Sequence, residues 1–559
     1  MNAPEVAPAY GSAVEPIGDR WSHSPLPILC IAATTLALAL FHTRALPLID
    51  RDEGRYAEAA REMLASGDWL VPRLFGVAYL EKPPLFYWLT AAAYRIAGID
   101  ELGARLVSAL AAAAGVLAIG LLGRKCFGPR AGLLGATVLA TSGLYFVLAR
   151  VAITDMLFSV LIGTALTSFF LAASERRSFL PFWLLAAAAT LTKGPVAPVL
   201  CGLTALAYLA SAGRLGILRS GGFWLGLPAF LAIVLTWFAL VEVRHPGFLG
   251  FYVYKEHMLR VAGDEHRQPL YWYAPWLLLG LLPWTPACIA ALPAIRARVR
   301  EASASGDAAR FAFAWVTVVF VFFSVPRGKL APYILPLFPP LALLLGDALD
   351  RWLDGRVTIR AMPRAFATVG VGLLVAIVAL PVALHFSPVR IPPAFVVLAF
   401  VTTAAAGGAI LGFARARGAQ PIVAIAGAMM VLECVTVMIA APIVDYFTAK
   451  PVIDRLRERL GPGDEVALYG GYFPNVPFYL QRIPLYVFGN RELDFGISLE
   501  GPGSAVVGDL RQLLARVGAR RLLIVLRTRE RDLRDLKRMP GETRLLHRGR
   551  SSSLIEHRP

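Results

Sequence analysis

The feature that most restricts this chain is an alternation of apolar runs near 20 residues long with short loops that carry arginine in clusters. At about 1.5 Å per residue such a run crosses a hydrocarbon core as a helix, which satisfies its own backbone there. Fourteen runs qualify, at 26–48, 83–99, 104–122, 131–149, 153–173, 179–194, 196–212, 221–241, 271–291, 310–325, 330–348, 365–385, 392–413 and 419–441. With 57% hydrophobic and 17% charged residues and a mean hydropathy of +0.60, the chain lies outside the soluble globular range. It reads as a polytopic α-helical membrane protein. The first run follows a polar tail without a clear small-residue cleavage site, so it is expected to remain as a span.

Charge decides which run is not a span. Arg124, Lys125 and Arg130, then Arg176 and Arg177, Arg214 and Arg219, Arg296, Arg298 and Arg300, Arg351, Arg356 and Arg360, and Arg415 and Arg417 must share one side by the positive-inside rule. The run 83–99 breaks the parity: it opens on Pro83-Pro84, is rich in aromatics and contains Arg95, and reads as an interfacial or re-entrant helix. Thirteen spans remain. The expected organisation is a cytoplasmic tail over 1–25, a transmembrane unit over 26–441 and a small periplasmic α/β domain over 442–559. In the last, Lys450 to Leu460, 508–518 and 530–538 read as helices and Glu465 to Tyr469 and Arg521 to Leu526 as strands. The net charge of +17 is then topology rather than a nucleic-acid surface. Five cysteines without CxxC spacing indicate neither a zinc knuckle nor a disulfide framework.

This topology gathers 49–103, 150–155, 193–195, 242–270 and 326–333 on the outer face. Those segments carry Asp52, Glu81, Lys82, Asp155, Lys193, His257, His266, Arg267, Arg327 and Lys329. Acids are costly in a chain built for lipid, so Asp52 and Asp155 at span boundaries suggest chemistry.

Each group also has a structural reading. Asp50 and Glu53 have the spacing of a capping box before Arg55 to Leu64. Asp52 shares a helix face with Arg55 and Tyr56, so an ion pair competes with a catalytic role. Pro83-Pro84 leaves Glu81 and Lys82 at a helix mouth, where Lys82 either snorkels or meets a lipid phosphate. Thr154-Asp155 caps a helix or carries chemistry. Lys193, in Thr192-Lys193-Gly194-Pro195, marks the interface or faces the site. Tyr254 to Arg260 reads as an interfacial helix, and Asp264-Glu265-His266-Arg267 with Glu81 is either a divalent-metal cluster or a set of solvated pairs. Arg327-Gly328-Lys329-Leu330-Ala331-Pro332-Tyr333 brings two cations and a tyrosine to a span entrance.

Together, Arg51-Asp52-Glu53-Gly54-Arg55-Tyr56, Glu81-Lys82-Pro83-Pro84-Leu85-Phe86-Tyr87-Trp88, Arg150 to Asp155, Thr192 to Pro195 and Gly328 to Pro336 resemble the GT-C membrane glycosyltransferases of the protein O-mannosyltransferase superfamily, nearest the branch that places aminoarabinose on lipid A. The resemblance implies transfer of a sugar, 4-amino-4-deoxy-L-arabinose in that branch, from undecaprenyl phosphate to a lipid A phosphate, lowering affinity for polymyxin. It implies a multi-pass protein of the bacterial inner membrane with a periplasmic active site. By motif, Asp52 and Asp155 correspond to catalytic acids, and Lys82, Arg267, Tyr333 and Lys329 to groups about the donor phosphate. Arg55, Tyr56 and Lys193 correspond to acceptor or site support, and Glu81 and His266 to a divalent metal pair, zinc or similar. No nucleotide cofactor and no nucleic acid is expected; the partners are membrane lipids, and the protein is expected to act as a monomer. A protein O-mannosyltransferase, another enzyme using polyprenyl-linked sugars, and a transporter or flippase are the alternatives. Against transport, the charged groups cluster on one side instead of lining a path, and no internal repeat is evident.

Overall fold

The computed structural model describes residues 24–254, 266–386, 389, 391–416, 418–445, 447–487, 491–501, 505–550 and 552–558. Among them, nine helices are long and apolar enough to span, and two pairs bent at a short break, Pro129–Ala140 with Gly143–Ala149 and Leu270–Gly280 with Thr285–Arg300, qualify as units. Two shorter apolar helices, Leu180–Lys193 and Val196–Ser211, stand at the remaining expected positions. The thirteen segments therefore coincide with those that hydropathy and arginine parity select. The excluded run folds as the helix Leu85–Ala97, 13 residues long and begun by Pro84. At about 1.5 Å per residue it covers roughly two thirds of a bilayer core.

Small residues let the central helices approach closely, as expected where packing rather than water drives association. A Cβ at Gly132 would lie 2.4 Å from the Arg124 backbone nitrogen of the neighbouring helix Glu101–Phe127. Any larger residue there would separate the pair.

Beyond the last span, a six-stranded sheet follows. Its strands are β3 (Glu465–Tyr469), β4 (Leu485–Val487), β5 (Val506–Val507), β6 (Leu522–Arg527), β7 (Glu542–Arg548) and β8 (Ser552–Arg558); β1 (Arg73–Leu74) and β2 (Val77–Ala78) form a separate antiparallel hairpin. The order is β5-β4-β3-β6-β8-β7, parallel from β5 to β6 and antiparallel thereafter. The continuous apolar run Leu522 to Leu526 is buried, as a central parallel strand should be. The helices Lys450–Arg459, Leu510–Val517 and Glu530–Lys537 lie where the sequence places them.

The sheet does not hang free of the membrane unit. Tyr479 donates to Glu101 Oε1 at 2.9 Å, and its hydroxyl oxygen accepts from the Leu48 amide at 2.8 Å. Asn475 Nδ2 and Thr448 Oγ1 both donate to the Leu48 carbonyl. Phe75 at the tip of the β1–β2 hairpin stacks on Tyr486 at 4.9 Å, and Arg73 forms a bidentate pair with Glu500 at 2.9 Å. Gly54 permits this docking: a Cβ there would fall 1.7 Å from Asn475 Oδ1.

Candidate active site

The first loop is fixed by a buried charge. Glu53 accepts from Arg105 Nε at 2.7 Å and Nη2 at 2.6 Å, from the Ile49 amide at 3.0 Å and from the Ala152 amide at 2.8 Å. Arg105 also donates to the Leu46 and Pro47 carbonyls. A buried carboxylate with every lone-pair direction used is stable where a bare one would not be. This corrects the capping-box reading. The helix runs Asp52–Ser66, and Glu53 reaches back to Ile49 rather than to Asp50. Its larger role is to tie the first loop to the one before Asp155.

Immediately before Asp52 the chain is strained. Arg51 has φ 72° and ψ −68°, and the Asp52 amide donates to the Asp50 carbonyl at 3.1 Å, a γ-turn of the rare positive-φ form. Such conformations persist only where surrounding contacts over-determine them, and they concentrate at functional sites. Here the turn presents Asp52, whose side chain is 72% exposed, at a helix start.

Arg55 joins the elements. It donates to Asp52 Oδ1 at 3.1 Å and to Glu492 of the C-terminal unit at 3.0 Å, and lies 4.0 Å from Glu81. Its guanidinium also stands 5.3 Å from the centre of the Tyr56 ring. Burial pushes the Tyr56 phenol well up; Arg55 opposes this, while the charges of Asp155 and Asp52 add to it. Tyr56 is therefore within electrostatic reach of both candidate acids.

Asp155 is closed off from water by comparison. Lys193 donates to it at 2.5 Å, and the same ammonium lies 4.4 Å above the Tyr333 ring and 5.4 Å from that of Phe158. Lys193 thus faces this cluster, joining Asp155 to Tyr333. Arg150 takes no part in the Asp155 pair; it caps the carbonyl end of the helix Leu26–Leu40, bonding Leu38, Ala39 and Phe41.

The other expected groups divide. Lys82 is buried and donates to the Glu81 carbonyl at 2.9 Å; Glu81 itself accepts from the Tyr79 hydroxyl at 3.0 Å. Arg267 and His266 are exposed, and their backbone is clamped by a bridge between Arg267 and Gly328. Lys329 differs from the expectation of a phosphate ligand. Only 2% exposed, it donates to the Gln268 carbonyl at 3.1 Å and the Pro326 carbonyl at 2.5 Å. Burial lowers its ammonium's affinity for the proton, and its place is that of a staple between two loops.

No three metal-capable side chains gather among the described residues. Glu81 accepts from Tyr79 and lies beside the Arg55 cation, and His266 is exposed. The helix expected over Tyr254 to Arg260, and Asp264 and Glu265, lie outside the described residues.

Three groups escape sequence reasoning: Arg105, Glu492 and Tyr479. Their partners lie 52, 437 and 378 residues away, and no local pattern signals such pairs.

Known proteins share this sequence pattern and fold. The family described as dolichyl-phosphate-mannose-protein mannosyltransferase matches residues 81–239. An undecaprenyl phosphate-alpha-4-amino-4-deoxy-L-arabinose arabinosyl transferase of Pseudomonas fluorescens is 33% identical over 67% of this chain and 67% of its own length. The chain belongs to this arabinosyl transferase family. Alignments to relatives from Edwardsiella ictaluri and Pseudomonas aeruginosa, 34% and 33% identical, span 54% and 58% of this chain and 55% and 59% of theirs. The crystal structure of ArnT from Cupriavidus metallidurans bound to undecaprenyl phosphate superposes with a TM-score of 0.82 at 26% identity, covering 95% of this chain and 97% of that one. The protein is a multi-pass membrane glycosyltransferase.

Proposed function

We propose that the chain transfers 4-amino-4-deoxy-L-arabinose from undecaprenyl phosphate to a phosphate of lipid A, at the periplasmic face of the inner membrane. The observation that carries the site assignment is the convergence of Asp52, Asp155, Arg55 and Lys193 about Tyr56 and Tyr333, from segments distant in the chain.

A phosphate oxygen of the acceptor attacks the anomeric carbon; the bond from that carbon to the carrier phosphate oxygen breaks, and the carrier leaves with the electron pair. In-line attack inverts the anomeric centre. The acceptor phosphate is already anionic, so no strong general base is required. Asp52 positions the acceptor with Arg55 and stabilises positive charge developing on the sugar. Lys82 and Arg267 answer the growing charge on the carrier phosphate. Asp155 holds Lys193 against Tyr333.

Weighing lipid A from cells with and without the gene tests this. A gain of one aminopentose supports the proposal; unchanged lipid A with glycosylated periplasmic proteins would favour a hydroxyl acceptor, the chemistry named for the mannosyltransferase family that matches residues 81–239.

A further inference from the structure

The C-terminal sheet has a topology with a consequence for binding. The chain leaves β3 towards β4 and β5, then crosses back to place β6 on the other side of β3. In open sheets of this kind the connections diverge at the carboxyl ends of the two central strands and leave a crevice there, where ligands bind. The crevice exists here. A cavity of about 380 Å³ is lined by Tyr472 and Phe473 after β3, Arg527 at the end of β6, Arg550, and Asp50 and Arg51 of the strained first-loop turn. That is room for a sugar-sized group.

Its chemistry is anionophilic. Three arginines, Arg51, Arg527 and Arg550, and one aspartate, Asp50, line it. Arg527 is pushed down by burial and by the like charges of Arg51 and Arg529, which outweigh Asp532 and Asp50. Planar guanidinium groups so crowded are relieved by a phosphate, which they match in geometry. The remaining wall is aromatic, and Oδ1 of Asp50 is sealed from water without a hydrogen-bond partner, an acceptor suited to a sugar hydroxyl or amine. Ile49 and Phe447 complete the rim; both are exposed apolar side chains just beyond the spans Leu26–Ala45 and Gln420–Val444. An occupant can therefore sit in the crevice while its acyl chains remain in the membrane.

We infer that this crevice is an anchoring subsite for a phosphorylated saccharide headgroup of a lipid, held by Arg527, Arg550 and Arg51, the last of which directly precedes Asp52. The inference rests on the proposed transfer to a phosphorylated glycolipid and adds that the acceptor is gripped at a second point, by the C-terminal unit.

The test uses the full chain in lipid nanodiscs without donor. D-glucosamine 6-phosphate should bind and D-glucosamine should not, and a lipid carrying the phosphorylated headgroup should bind more tightly than the free sugar phosphate. Arg527→Gln and Arg550→Gln should each weaken binding of both phosphorylated probes about tenfold, the scale of one lost charge-assisted contact. Arg527→Lys, which keeps the charge but loses the planar fork, should bind more tightly than Arg527→Gln and less tightly than the native chain, separating the subsite from a folding defect. In turnover assays the sugar phosphate should compete with the lipid acceptor and not with the donor. Binding indifferent to the phosphate or to Arg527 would overturn the inference, and equal affinity for free and lipid-borne headgroups would overturn its assignment to a lipid. Arginine-dependent phosphate binding in a protein that leaves lipid A unmodified would instead refute the proposed transfer while leaving the subsite in place.

Discussion

Asp52 and Asp155 are the two acids that the sequence sets at span boundaries, and their surroundings are opposite. Asp52 stands on a strained turn, 72% exposed, with Arg55 at 3.1 Å and divided among other partners. Asp155 is 11% exposed and bound by a single ammonium at 2.5 Å. A carboxylate that is exposed and loosely held can meet a substrate; one that is closed and firmly paired fixes the groups around it. On the proposed transfer, this difference gives the chemistry to Asp52 and the positioning to Asp155.

Several substitutions would break or sharpen that contrast. Asp52→Asn should cut transfer by about a thousandfold, the scale of a lost transition-state electrostatic contact, while carrier binding persists. Near-normal turnover would remove Asp52 from the reaction. Asp155→Asn should act on the fold first: it leaves Lys193 buried without its counter-charge, which costs about 3 to 5 kcal/mol, and Asp155→Asn with Lys193→Met together should recover part of that in a thermal or denaturant midpoint. If the double variant is no more stable than the single, the pair is not what holds this corner. Lys82→Ala should raise donor KM about tenfold with little change in acceptor KM; equal effects on both substrates would deny it the carrier phosphate.

The smallest effect concerns Asp50, beside the turn. Burial pushes its carboxyl up to about 7, against the Ala449 amide, Arg51 and Arg527, which pull it down. A folded-state value above the unfolded one means the folded protein holds a proton that the unfolded chain releases, so this residue's contribution to stability falls as pH rises from about 4 to about 7. Asp50→Asn should therefore raise the thermal midpoint more at pH 8 than at pH 4, and a pH-independent difference would show that Asp50 carries no such load.

The spans were legible because length, apolar continuity and arginine parity are properties of neighbouring residues. The pairing of Arg55 with Asp52, three positions apart, was legible for the same reason. Lys193 against Asp155 was not, since 38 residues and a helix hairpin intervene. Glu53 misled because a capping box and a long-range anchor use the same residue type at the same place. In the C-terminal unit, β3 and β6 were visible as apolar runs, whereas β7, Glu-Thr-Arg-Leu-Leu-His-Arg, is an edge strand whose mixed composition gives no clear alternation. Lys329 shows the complementary failure: a cation at a span entrance looks like a ligand until its ammonium is found on two carbonyls.

The central claim is that the charged segments meet on one outer face. Single cysteines at positions 52, 327 and 415, in a chain whose native cysteines are replaced, can be probed with a membrane-impermeant thiol reagent on spheroplasts. The account predicts labelling at 52 and 327 from outside and at 415 only after permeabilisation. Labelling of 52 and 327 from opposite faces would contradict it.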